Sequence, residues 1–257
     1  MDSLTQLKSL PRKVYGHAQA LPNIALGYPH RHPWGQLSYA VSGVLEIHTR
    51  GARFVSPPQR AVWIPPGIRH RVTCPADTCI RSLYIEHEFA DWAADRYRVI
   101  AIAPLVRELI KRFSQLPVEY AMDGAHGRLV EVLLDQLSIA PEESLSLPLP
   151  HDPRLHKLCR RLQAHPDDPT TLAHWSEVLG VSQKTLSRVF LRETGLNFRA
   201  WRQRMRLLNA LPALERGERV TDVALACGYE SLSAFIAAFR SQLGLSPGEF
   251  AKAAGAD

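Results

Sequence analysis

Two groups of residues in this 257-residue chain carry side chains able to do chemistry. The first is His30, His32 and Gln36, followed beyond a Pro65-Pro66-Gly67 turn signal by His70. Two histidines two positions apart on an extended segment share a face, and a third from a neighbouring strand completes a facial set that can hold a divalent metal ion. Trp34 and Trp63 either line a pocket beside this group or belong to the core. Three readings stay open. The polar side chains hydrogen-bond within a barrel mouth or line a small-molecule site, they hold a regulatory metal, or they support metal-dependent catalysis.

The second group lies between 182 and 240. Ser182 is placed to cap a helix on which Leu186, Val189 and Phe190 face inward, leaving Lys184, Thr185, Ser187, Arg188 and Arg192 outward. Lysine and arginine donate to guanine O6 and N7, and the first two turns of a helix in a major groove reach base edges. Lys184, Ser187 and Arg188 are therefore base-contact candidates beside Ser182 and Thr185, and Arg192, a turn further, suits a phosphate. Forty-nine residues on from Ser182, Gln183, Lys184, Ser187 and Arg188 stand Ser231, Leu232, Ser233, Ile236 and Ala237, with Arg240 just beyond, a largely apolar face. It either meets thymine methyls, with Arg240 or Ser231 on phosphate, or is covered by the rest of the protein. Between the two stretches, Arg199, Arg202, Arg204 and Arg206 either add to a basic surface or brace the two parts together.

The elements that must position these residues differ in the two halves. From Gln36 to Glu86 six short alternating runs (36–41, 44–49, 52–55, 60–64, 69–74, 79–86) are separated by Gly and Pro, which predicts an antiparallel sandwich or small barrel. Residues 100–115 and 126–139 then show helical periodicity, with apolar stripes at Leu105, Leu109, Ile110 and Phe113 and at Leu129, Val132, Leu133 and Leu137. The proline-rich stretch around 146–152 reads as a linker. Everything beyond it reads as helix. Leu186, Phe190 and Gly195 recur as Phe235, Phe239 and Gly244, which predicts a duplicated helix–turn–helix.

Composition sets the bounds. Apolar residues at 46% and charged residues at 22% exclude disordered, collagenous and coiled-coil classes. No apolar run is long enough to span a membrane, and the first ten residues lack an apolar signal region, so a cytoplasmic protein without a membrane partner is expected. Cys74, Cys79, Cys159 and Cys227 form no CxxC pair and read as small core hydrophobes. The net charge is +6, and residues 151–257 carry 15 basic against 11 acidic side chains, which puts any polyanion-binding surface in the C-terminal part.

The stretches 180–195 and 220–250 resemble the tandem helix–turn–helix domain of the AraC/XylS transcription regulators, through Ala224, Gly228, Tyr229, Phe235, Phe239, Arg240, Gly244, Ser246 and Pro247. Pro212 departs from that pattern and predicts a kinked or shortened joining helix. The histidine group resembles the cupin motifs, with Gln36 at the glutamate position and Gln59 where a glycine is expected. The resemblance implies an α+β chain: an N-terminal arm (1–15), a cupin-like sensing barrel (16–95), a helical dimerisation segment (96–145), a linker (146–152) and the helix–turn–helix domain (153–257). It implies promoter DNA and RNA polymerase as partners, activation as the habitual outcome, a small-molecule or metal effector, and no catalytic residue. A homodimer is expected through Leu105, Leu109, Leu129, Val132, Leu133 and Leu137, whose other reading is packing on the barrel. The competing class is a metal-dependent cupin oxygenase or isomerase with an appended helical domain.

Overall fold

The computed structural model describes residues 7–16, 27–57, 59–74, 78–93, 96–143 and 145–254. Residues 1–6 of the expected arm and 255–257 of the last domain lie outside these. The chain forms two compact units, Met1–Thr49 with Phe54–Leu145, and Arg50–Arg53 with Ser146–Asp257.

In the first unit the six alternating runs become β2 (Gly35–Ser42), β3 (Leu45–His48), β4 (Ala52–Ser56), β5 (Arg60–Ile64), β6 (Arg71–Thr73) and β7 (Cys79–Ile85), after a short β1 (Val14–Tyr15). A later strand β8 (Arg98–Ala101) and the two-residue β9 (Glu142–Glu143) complete a sheet of order β1-β7-β2-β5-β8-β9. A second sheet contains β4, β3 and β6 in that order, with Ile47 opposite Val72.

Register decides which side chains meet. Gln36 lies opposite Ile64 and Tyr84, and Ser38 opposite Val62 and Ser82, so these residues share one face of the first sheet. Leu37 opposite Trp63 and Leu83, and Tyr39 opposite Ala61, share the other. That second face packs on α1 (Pro104–Phe113) and α2 (Ala125–Ser138) in one core with Val106, Ile110, Phe113, Val130, Leu133 and Leu137. Trp63 belongs to this core, away from Gln36, which corrects its placement beside a ligand. Gly35 makes room for it: a Cβ there would sit 2.0 Å from the Trp63 ring.

Leu133 and Leu137 are likewise corrected as partner-facing residues, because they are 0% and 1% exposed within their own unit. Leu105 and Val132 do face outward, at 55% and 43% exposure, with Leu109 and Leu129 half-buried beside them. The helix expected over 100–115 starts only at Pro104, because Val99 and Ile100 pair with Val62 and Ala61 as strand. Such short apolar runs suit either element.

In the second unit the stretch read as a linker is structured: β10 (Ser146–Pro148) accepts the Trp201 indole N–H at the Pro148 carbonyl, 2.7 Å away, and Asp152 caps α3 (Pro153–Ala164). There follow α4 (Leu172–Val178), α5 (Gln183–Thr194), α6 (Phe198–Glu215), α7 (Val220–Ala226), α8 (Leu232–Leu243) and α9 (Pro247–Ala254). Ser182, Asn197 and Ser231 cap α5, α6 and α8 through backbone N–H donors at 3.1, 2.8 and 3.2 Å. α5 and α8 both end on a left-handed glycine, Gly195 at φ 70° and Gly244 at φ 76°, so the duplication extends to the stop signals. α6 runs through Pro212 to Glu215, so the helix is not shortened at the proline as one of the two expected outcomes had it. Pro212 lacks the N–H that would reach the Leu208 carbonyl, so the helix gives up that one backbone hydrogen bond without ending there.

The four cysteines are free thiols; Cys159 and Cys227 are buried, and Cys74 and Cys79 are half-buried. Among the described residues no helix is long and apolar enough to cross a membrane.

Candidate functional site

The histidine group converges. A two-residue antiparallel bridge joins His30 to His70, each N–H donating to the other's carbonyl at 2.9 Å, and Gly67 N–H donates to the His32 carbonyl at 2.8 Å. This brings the rings of His30 and His70 to 4.3 Å, and those of His32 and His70 to 5.2 Å. One ligand nitrogen from each of the three lies within 4.8 Å of the others, and all three residues are buried. Gln36 joins them from β2: its Oε1 is 2.9 Å from His32 Nε2 and 3.0 Å from His70 Nε2. Trp34 stacks on His32 at 5.6 Å from a buried cluster with Leu10, Tyr15 and Tyr84, and Tyr84 meets the same ring edge-on.

Protonation follows from the partners. Each Nδ1 faces a backbone carbonyl, Tyr28 at 3.1 Å for His30, Trp34 at 2.7 Å for His32 and Ile68 at 2.9 Å for His70. A carbonyl only accepts, so Nδ1 carries the hydrogen. Burial, the largest cause in each case, holds all three rings below the usual histidine range, with His70 pushed down to about 3, so they stay neutral. Each Nε2 is then a bare lone pair.

With Oε1 turned inward, Gln36 adds another lone pair while its amide N–H donates to Ser38 Oγ at 2.8 Å and approaches Ser82 Oγ at 3.4 Å. A set of acceptors facing one another is repulsive unless a cation sits among them, or unless the amide turns over and donates to His32 and His70. His30 Nε2 is buried with no hydrogen-bond partner among the described residues. The donor set fits a first-row divalent ion, and the carbonyls on Nδ1 are the usual outer supports of metal-bound histidine. Gln59, where the cupin motif has glycine, keeps the left-handed backbone at φ 67°, so the turn survives the change of residue. Ser38, Ser82 and Tyr84 were not singled out in the sequence; alternation by two from Gln36 along β2 points to Ser38.

In the second unit Leu186 and Phe190 are buried, and Ser182, Lys184, Thr185, Ser187, Arg188 and Arg192 are exposed along α5. On α8 Phe235 and Phe239 are buried, Ser231, Leu232, Ser233, Ala237 and Arg240 are exposed, and Ile236 is half-buried. Both of these helix faces are therefore open within the second unit. Of the arginines on α6, Arg199 is exposed, whereas Arg202, Arg204 and Arg206 are half-buried and donate to the carbonyls of Thr170, Ser146 and Pro166 at 2.8, 3.4 and 2.9 Å. These three brace the unit.

Comparison with known proteins agrees with both halves. Residues 13–179 match the AraC-like ligand binding domain and residues 175–253 match a helix-turn-helix domain. The chain is 35% identical over 223 residues, 86% of its length and 81% of the relative's, to the HTH-type transcriptional regulator NimR of Escherichia coli K12. It is 28% identical over 144 residues, 53% of its length and 51% of the relative's, to the transcriptional activator RhaR of Klebsiella pneumoniae. A solved DNA-binding transcriptional dual regulator from Escherichia coli K-12 shares 27% identity over 40% of this chain and 92% of its own, with a TM-score of 0.37. The chain thus belongs to the AraC family, as a helix–turn–helix DNA-binding transcription regulator with an N-terminal ligand-binding domain.

Proposed function

We propose that this regulator acts in the cytoplasm as a homodimeric activator that binds promoter DNA, reads sequence chiefly through α5, contacts RNA polymerase, and takes its signal at the histidine centre of the barrel. The signal alters how the two DNA-binding domains of the dimer are presented to the operator. The observation that carries the DNA reading is the α5 face: Lys184, Ser187 and Arg188 stand exposed on the first turns of a capped helix. α8 contributes apolar contact through Ile236 and Ala237 and a phosphate contact through Arg240. Activation is supported by the name that RhaR bears.

The effector is a divalent metal ion, or a small molecule that meets the same four acceptors. The acceptor-only geometry of His30, His32, His70 and Gln36 favours the ion. We assign the barrel to sensing rather than turnover, in keeping with relatives that are regulators.

Sites found by genome-wide mapping of bound DNA supply the test. Arg188→Ala is expected to lower affinity for such a site by about 1–3 kcal/mol and to relax one base position, while Arg192→Ala weakens specific and random duplexes alike. Ile236→Ala costs less specificity than Arg188→Ala. Equal loss on both duplexes for Arg188→Ala overturns its role. For the effector, elemental analysis of protein purified without chelator is expected to find an ion that His32→Ala loses; a metal-free wild type whose melting no divalent ion shifts removes the metal and leaves the small molecule.

A further inference from the structure

A cavity of about 490 Å³ lies between α4, α6 and α8, walled by Phe198, Arg199, Arg202, Arg206, Tyr229 and Ala234, with no carboxylate among the described residues of its walls. Three guanidinium groups thus line one face of α6 over two turns. Their donors are only partly used. Arg202 gives one Nη to the Thr170 carbonyl and Arg206 gives Nε to the Pro166 carbonyl, whereas Arg202 Nε and Nη2 and the Tyr229 hydroxyl are buried with no hydrogen-bond partner among the described residues. Burial, and then the adjacent Arg206, pull the Arg202 guanidinium below its ordinary pKa. The neighbouring Asp168 offsets this crowding only in part, and its carboxylate is already engaged by Arg161 at 2.9 Å and by Thr170. Unpaired donors and like charges at one place call for an anion.

A second hollow, about 660 Å³, runs along α5 past Lys184, Ser187 and Arg188 and shares Phe198 with the first. The arginine cavity thus neighbours the hollow along α5, with Phe198 common to both walls, and reaches Ala234 and Ala238 on α8. Two helices that enter successive major-groove segments have the minor groove and its flanking phosphates between them. Resting on the DNA reading above, we propose that the Arg199–Arg202–Arg206 cavity is a phosphate site that grips the DNA backbone where the duplex passes from α5 to α8.

The test uses the full chain and a labelled random-sequence duplex, with affinity followed across a salt series. Each phosphate contact contributes about 0.9 to the slope of log affinity against log salt. Arg199→Gln and Arg202→Gln are each expected to make that slope shallower by about this amount, and Arg202→Lys, which keeps the charge, to retain it. Arg199 is exposed, so its variant reports even where Arg202→Gln melts early. Unchanged slopes in folded variants, with the wild type binding normally, overturn the site alone. A wild type with no salt-dependent duplex binding sinks the DNA reading itself. Inorganic phosphate titrated into DNA-free protein at constant ionic strength separates the remaining source: a melting rise abolished by Arg202→Gln, with DNA slopes intact, marks a pocket for a free anion and overturns the backbone assignment.

Discussion

Gln36 decides what the barrel can hold. As a neutral amide it offers one oxygen to an ion, yet it can also turn its N–H groups toward His32 and His70, which would satisfy those two rings without an ion and leave only His30 Nε2 unpartnered. Gln36→Glu removes the second option and adds a charge, and is expected to tighten binding of a divalent ion by roughly tenfold or more, since ligand charge tunes such affinities. Competition against a chromophoric chelator reads this directly, and weaker binding by the glutamate variant would falsify the inward orientation of the amide oxygen. Residue types and spacing alone identified His30, His32, Gln36 and His70. They did not identify the side for Trp63, because which face a strand residue takes depends on the register of β5 against β2, and a one-residue slip would have put Trp63 among the histidines.

The helices show which local signals suffice. Asp152 accepts the Arg154 N–H at 2.9 Å at the start of α3, where Pro153 is pre-set for the first turn. The hydrogen bond from the Arg154 side chain, foremost, holds its carboxyl down from 3.8 to about 2. A carboxyl whose folded value is depressed contributes stability above its unfolded value and loses it as pH falls through the folded one. Thermal melts of the wild type should therefore give up this contribution between pH 3.8 and about 2, and Asp152→Ala should cost about 1 kcal/mol at neutral pH. The variant's melting should fall less steeply over the acid range; parallel acid profiles would show that the cap carries none of it. Alternation made β2 to β7 legible, and 3.6-residue periodicity did the same for α1 and α2. Short pieces were not legible: β1 and β9 have two residues each, too few for any period to register. Pro212 misled as to helix length, since one missing N–H did not end α6 before Glu215.

At the scale of the whole chain, the charge asymmetry and the proline-rich stretch separated a barrel half from a helical half. The assignment of Arg50–Arg53 to the second unit was invisible, because it follows from contacts far apart in sequence. The apolar side chains left uncovered on the first unit bear on assembly. Leu105 on α1 and Val132 on α2 expose apolar surface to solvent, and a two-fold contact made by the same patch on each copy would cover it. The full chain is expected to sediment as a dimer, and the double substitution Leu105→Glu, Val132→Glu to give a monomer with unchanged helix content. A wild type that stays monomeric at concentrations where it binds its operator sinks the two-fold arrangement.

The unbroken α6 has a consequence for how this chain can vary. Its 18 residues amount to a rod of about 27 Å that fixes the angular offset between the two heads at its ends. Adding one residue to the rod would swing one head by about 100° and push it about 1.5 Å outward, and DNA has no compensating change of spacing. Composition along this stretch is therefore free to drift wherever a side chain points outward, but its length is locked.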